Sequence, residues 1–354
     1  MMAQGSEGVP FRLNKTYVTI AAIALSIIIL VIITSVGGVN PTVIFTVVPI
    51  FLLCAIAATL LKLLFQGVRF NYILRAFSDR SYPFFESLIA RFGSEFVALT
   101  SPAYVGGEVA RAAWMTKRGE ASGKALWLPY IEIVFDVYSG NLIALAAGIY
   151  ALSAGDAFLG AVVMAVAVVI LSLVTAVVLF SRRGGILIPS YAMVPLGRVV
   201  GRHRAESLKE KGDQFLEEFC EAANHTFTRK YAGDLLLVGL FTAAIVLLST
   251  ATLWFIAMGL NLPVSFIDSA LLVYASMALG NLPITLGGSG VAEASVYLYA
   301  ADVVGVSSWP MVFAWRILSY QMLLIITGIC AFAILRRYTK SQPEKPLRDV
   351  HNSV

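Results

Sequence analysis

Residues 101–111 read Ser-Pro-Ala-Tyr-Val-Gly-Gly-Glu-Val-Ala-Arg, and residues 282–293 read Leu-Pro-Ile-Thr-Leu-Gly-Gly-Ser-Gly-Val-Ala-Glu. Each stretch places a proline four residues before a glycine pair: Pro102 with Gly106 and Gly107, Pro283 with Gly287 and Gly288. Proline stops a helix and glycine lets the backbone reverse, so each copy predicts a break inside an apolar segment. Matching breaks in two halves of a chain are the sequence pointer to a transporter's binding site.

Composition fixes the surroundings of those breaks. The chain has 354 residues, 58% hydrophobic and 13% charged, with a mean hydropathy of +0.82. Soluble domains carry roughly a quarter charged residues, and the apolar runs here reach the ~20 residues that a spanning helix needs. Cys54, Cys220 and Cys330 are far apart and form neither a metal spacing nor a disulfide framework.

Apolar runs at 17–36, 43–66, 126–150, 157–181, 235–258 and 309–335 predict six full spans. The first run is long for a signal peptide and lacks a small-x-small cleavage site, so it is read as a retained span. The broken units fall at 84–100 with 105–116 and at 266–281 with 289–303. The long polar connection 182–232 contains an amphipathic helix over 205–223, with Leu208, Phe215, Leu216 and Phe219 on one side. It either packs on the bundle or lies in the membrane interface. Residues 1–16 are expected to be a cytoplasmic tail, and 338–354 a disordered one.

All but three of the 26 Lys and Arg fall in the tails, the basic connections, the long loop or adjoining helix ends. Arg69, Arg75 and Arg80 are assigned to one of those connections. Arg91, Arg111 and Arg316 are the three inside apolar segments, and the opposite loops carry only Asp156, Asp268 and Asp302. By the positive-inside rule both termini are cytoplasmic, which accounts for the basic balance without nucleic acid. With that parity the series span 43–66, hairpin, span 126–150 recurs upside down as span 235–258, hairpin, span 309–335. The expected fold is an all-α polytopic membrane protein with six full spans and two broken, re-entrant-like hairpins. They form an inverted-topology repeat of about 43–150 and 235–335. Broken backbone at membrane depth must be buried in protein or face water, so the two breaks are expected to meet at the centre.

Charges inside spans mark functional candidates. Glu108 and Arg111 follow Gly106-Gly107, as Ser289 and Glu293 follow Gly287-Gly288. Half-helices that begin there would offer unpaired N–H groups to a phosphate or carboxylate, with Arg111 or Arg316 adding a bidentate contact. Glu132 and Asp136, four apart, share one helical face. They serve either as structural partners of Arg111 or Arg316 or in handling substrate or protons. Arg91 and Glu95 are read as an internal ion pair, and Asn281 and Thr285 as caps of the breaks. No nucleotide motif, metal cluster or nucleophile–base set is legible, so no cofactor and no enzymatic activity are expected.

At these residues the chain resembles the transmembrane region of lysylphosphatidylglycerol synthases, a broad flippase-like family. The resemblance is carried by Pro102-x-x-x-Gly-Gly-Glu-x-x-Arg111, Glu132-x-x-x-Asp136, Pro283-x-x-x-Gly-Gly-x-Gly-x-x-Glu293 and Arg316-x-x-Ser-Tyr320, over about 17–337. Family members often place an arginine directly after the first acid of the Glu-x-x-x-Asp pair. Here Ile133 stands there, and its charge-balancing role falls to Arg91 or Arg111. The soluble transferase domain of the synthases is absent from this sequence. The resemblance implies a plasma-membrane lipid translocase that moves a phospholipid, aminoacyl-phospholipid or polyprenyl-phosphate-linked sugar. Its partners would be membrane lipids, with a separate aminoacyl- or glycosyl-transferase as a further candidate. Two other readings stand beside it: an ion- or proton-coupled transporter of a small solute, and a non-transporting partner of a lipid-modifying or glycosyl-transfer enzyme.

Overall fold

Long apolar runs leave the backbone of a chain in lipid one economical solution, which is to satisfy its polar groups within helices. The computed structural model is all-helical, with no strand among the described residues. Those residues are 40–101, 104, 106–183, 202–282, 288, 290–306 and 308–340 (side chains to 332), with isolated positions between 24 and 38. The expected first span 17–36 lies largely outside them, as do the tail 1–16, Pro102, Pro283, Thr285, Gly287 and Ser289.

After a 3₁₀ turn, Pro41–Thr46, the helices in order are α1 Pro49–Phe77, α2 Phe84–Leu99, α3 Gly106–Thr116, α4 Ser122–Ser153 and α5 Ala157–Arg183. Then come α6 Arg202–Thr226, α7 Ala232–Gly259, α8 Phe266–Gly280, α9 Val291–Tyr299 and α10 Trp309–Arg316. The last helix runs on through a π-helical turn, Ile317–Met322, into α11 Leu323–Lys340. Five stretches are long and apolar enough to cross a bilayer: Pro49–Phe77, Ser122–Ser153, Ala157–Arg183, Arg229–Gly259 and Trp309–Phe332. The chain is a multi-pass integral membrane protein. In contrast, α2, α3, α8 and α9 have 16, 11, 15 and 9 residues, short of the ~20 a span requires.

Several boundaries differ from the sequence expectation. The span placed at 43–66 begins at Pro49, which suits the first helical turn, and runs on to Phe77 because 67–77 remain largely apolar. Arg69 and Arg75 are therefore helical and not part of a connection. Helix α9 closes at Tyr299 and passes into a π turn, Ala300–Val304, where 289–303 was expected as one helix. The final helix extends to Lys340, and the rest of the expected tail, 341–354, lies outside the described residues.

Helices α1 and α7 lie antiparallel along each other. Val48 N–H donates to the Gly259 carbonyl (2.9 Å), Thr59 and Thr252 share a hydroxyl hydrogen bond (3.2 Å), and Tyr72 donates to Asp234 (2.6 Å). Around this pair the packing comes in twos. Helix α2 packs on α3, α1 and α11; α8 packs on α9, α7 and α4. Exchanging α1–α4 with α7–α11 therefore leaves the set of neighbours largely unchanged. Helix α5 packs on α4 and α6 and also touches α8.

The amphipathic helix is α6, and it takes the packed reading. Glu218 accepts from Gly123 N–H at the start of α4 (2.9 Å), and Trp127 Nε1 donates to Thr226 (2.9 Å). One apolar cluster, with Phe70, Trp114, Trp127 and Ala223, fills that end of the bundle. A second, with Val47, Ala147, Leu253, Leu272 and Met311, fills the other.

Candidate functional site

Each break is closed by small residues at close approach. Helix α3 starts at Gly106, whose N–H donates to Ser101 Oγ (2.9 Å). A Cβ on Gly107 would sit 2.9 Å from Ala98 Cβ, so its absence lets α3 lie back against α2. In the second unit Gly288 has φ +62°, and a Cβ there would stand 2.8 Å from the Gly280 carbonyl. Gly290 (φ +88°) caps α9, and its N–H donates to Glu293 Oε2 (2.7 Å). Asn281 ends α8, with its backbone N–H donating to Met277 O (3.0 Å).

These closures change the roles open to the helix starts. Both half-helices already spend an N–H on a side chain of their own unit, Ser101 in one and Glu293 in the other.

Three helices then converge on one carboxylate. Glu132 of α4 is fully buried and takes Arg69 Nε on Oε1 (3.1 Å). Its Oε2 receives Arg111 Nη1 and stands 3.5 Å from Arg91 Nε. Asp136, one turn on, accepts both terminal nitrogens of Arg69 (2.6 and 2.7 Å) in a bidentate fork. Arg69 Nη1 also donates to Thr242 of α7 (2.7 Å), so this guanidinium joins α1, α4 and α7. Arg111 Nη2 pairs with Glu108 (2.9 Å), and Arg91 pairs with Glu95 (2.6 Å). In the second half Arg316 Nε pairs with Glu293 Oε1 (2.6 Å), and the Tyr320 ring lies 4.1 Å from the guanidinium carbon.

Arg69 is the member that sequence reading missed. Its side chain is wholly buried, and it supplies the charge balance expected of Arg91 or Arg111 after Ile133. A signal was present. Lys62, Gln66 and Arg69 recur at i, i+4 and i+7, a polar stripe on an otherwise apolar helix. Arg316 does not reach Glu132 or Asp136, because its partner comes from α9. Arg111, by contrast, meets Glu132 as the structural reading proposed.

The two breaks are tied together through Arg316. Tyr104, at φ +60° in the first break, shares a side-chain hydrogen bond with Arg316, and Arg316 holds Glu293 behind the second break. Tyr320 donates to Leu99 O (2.9 Å) at the tip of α2. Gly287 and Ser289 lie outside the described residues and are not placed in this arrangement.

A cavity of about 710 Å³ opens beside these pairs, lined among others by Lys62, Arg91, Glu95, Glu108, Asp136 and Arg316. Lys62, Arg69, Arg91 and Arg111 offset Glu95, Glu108, Glu132 and Asp136, and Arg316 offsets Glu293. The formal charges of the cluster cancel. Apolar side chains also line the cavity, among them the exposed Val109, Met277 and Val177.

A family model described as the lysylphosphatidylglycerol synthase TM region matches residues 19–327. No curated protein matches the chain.

Proposed function

The chain belongs to the lysylphosphatidylglycerol synthase TM region family, and from that premise we propose that it moves a lipid between the leaflets of the plasma membrane. The observation that carries this reading is the cavity: charged side chains line it together with the exposed apolar Val109, Met277 and Val177, which in this reading border lipid. A head group enters through that border while its acyl or prenyl chains stay in hydrocarbon. A transporter of small solutes needs no such lateral border, and its cavity would face water alone.

In this reading α2–α3 and α8–α9 are re-entrant hairpins entering from opposite sides, within an inverted repeat. Their short lengths and the paired packing of the two halves support it. The expected sixth span, 17–36, lies largely outside the described residues, and in this reading both termini are cytoplasmic by the distribution of Lys and Arg. Glu108, Arg111, Glu132, Asp136, Glu293 and Arg316 form the scaffold of the site, with the glycine pairs Gly106–Gly107 and Gly287–Gly288 and Ser289 at the breaks. Phospholipid, aminoacyl-phospholipid and polyprenyl-phosphate-linked sugar all share the phosphate-bearing amphiphile this cavity suits. A separate aminoacyl- or glycosyl-transferase would make the cargo.

Leaflet exchange in proteoliposomes tests the proposal. Labelled lipids of several head-group classes should equilibrate between leaflets faster with the full chain than in empty vesicles, and at rates that depend on head group. If every class moves only as fast as in empty vesicles, the translocase reading fails and a non-transporting partner role replaces it.

A further inference from the structure

Resting on the lipid-translocase reading above, we propose that Lys62 receives the phosphate of the lipid head as it passes mid-membrane. The cargo is thereby restricted to lipids whose head carries a phosphate.

Lys62 stands near the middle of the 29-residue α1, so at ~1.5 Å per residue its Cα is about 20 Å along the axis from either end. Thr59, Lys62 and Gln66, spaced i, i+3 and i+7, line the cavity from α1. A charge at such depth is costly, and it marks a cargo path or has a partner. Among the described residues Lys62 has neither a hydrogen bond nor an ion pair. Its side chain is half-buried, and Nζ keeps accessible surface where Gln66 Oε1 is sealed off.

The guanidiniums lining the same cavity are already engaged. Arg91 Nη1 lies on Glu95 (2.6 Å) and Arg316 Nε on Glu293 (2.6 Å). An anion bound there must displace a carboxylate or share a guanidinium with one. Glu95 and Asp136 both act on the charge of Lys62. Yet Arg91 holds the first, and both oxygens of the second rest on Arg69. Lys62 therefore completes the charge balance of the cluster from a distance. An anionic oxygen that arrives at Nζ gains a charge-assisted hydrogen bond and breaks none.

Lysine also suits a moving ligand. Its compact ammonium on a flexible stem holds phosphate as a point charge, without the fixed fork of a guanidinium. Phosphate is the anion that the candidate lipids have in common, and it sits where head group meets chains. A lipid whose phosphate rests on Lys62 keeps the rest of its head in the cavity and its chains outside.

The first test is reductive methylation of the purified full chain in an uncharged detergent, read lysine by lysine by mass spectrometry. Dioctanoyl phosphatidylglycerol at about ten times its Kd should slow methylation of Lys62 on the order of tenfold. Lys211, exposed on α6, should keep its rate. Dioctanoylglycerol, which lacks the phosphate, and inorganic phosphate, which lacks the chains, should leave Lys62 unprotected at the same concentration. Equal protection by dioctanoylglycerol would mean occlusion by chains, and equal protection by inorganic phosphate a site for free anions; either overturns the proposal. So does a Lys62 that the phospholipid fails to protect, or one that is never methylated. In titration calorimetry Lys62→Met should weaken phosphatidylglycerol on the order of tenfold, the margin of a charge-assisted hydrogen bond, and Lys62→Arg should recover most of it. Unchanged affinity in Lys62→Met overturns the assignment. The protection measurement uses the wild type alone and decides even if a variant fails to fold. Leaflet exchange separates this proposal from the one it rests on. If Lys62→Met exchanges phospholipids as fast as the wild type, the role of Lys62 fails and the translocase reading stands. If the phospholipid protects Lys62 but no lipid exchanges, the translocase reading fails and the binding role stands.

Discussion

Glu132 holds three guanidiniums with one side chain, so its loss strands them together. Breaking a buried ion pair by removing one partner costs about 3–5 kcal/mol, because the remaining charge stays in low dielectric. Glu132→Gln keeps the volume and removes the charge, and is expected to destabilise by about that amount, read as a lowered thermal midpoint in detergent. Asp136→Asn should cost less, since its half-exposed side chain leaves Arg69 with Glu132, Thr242 and access to the cavity. Equal losses in the two variants would overturn this ranking. At this scale the sequence was legible where a charge stood alone inside an apolar run, as with Arg91, Arg111 and Arg316. Arg69 was hidden by position. It lies a few residues beyond a 24-residue apolar window and two helical turns before Arg75, so it reads as the start of a basic loop. Pairings were less legible than positions. Which acid meets which arginine depends on helix rotation and register, and no spacing within one segment encodes these.

Both breaks rely on glycine, for reasons the structure separates. Gly288 needs both a left-handed backbone and the room that a side chain would take from the Gly280 carbonyl. Gly290 has the left-handed backbone, φ +88°, but open space around it. Gly290 lies at φ +88°, ψ −50°, close to the strained classic γ-turn, so Gly290→Ala should lose roughly 1–3 kcal/mol of stability. Gly288→Ala should lose more, because the second unit must also part at its crossing. Thermal melts of the two variants decide this, and a milder Gly288→Ala would refute the close-packing account. The breaks themselves were readable from proline and glycine alone. The way the chain uses its freed N–H groups was not, because Ser101 and Glu293 turn back on their own units by choices of rotamer.

The pairing of helices across the molecule carries a topological expectation. If the halves are inverted copies, single cysteines at Asp156 and Asp302 should react with an impermeant thiol reagent from one side of sealed vesicles. A cysteine at Lys117 should react only from the other side, with Cys54, Cys220 and Cys330 replaced beforehand. Labelling of all three from one side would overturn the inverted arrangement. The all-helical, multi-pass outline was present in the sequence as hydropathy, since lipid imposes helices of nearly fixed length. The cavity was not, because it arises from how short helices end against one another.

The cancellation of charge within the cluster reaches further than the fit of a ligand. A membrane potential does electrical work only on net charge displaced through it, about 2.3 kcal/mol per elementary charge per 100 mV. If each guanidinium travels with its carboxylate when the halves rock, the protein displaces almost no charge of its own. The voltage across the membrane would then act on the cargo and not on the carrier, and a neutral cargo would cross as readily in an energised vesicle as in a depolarised one.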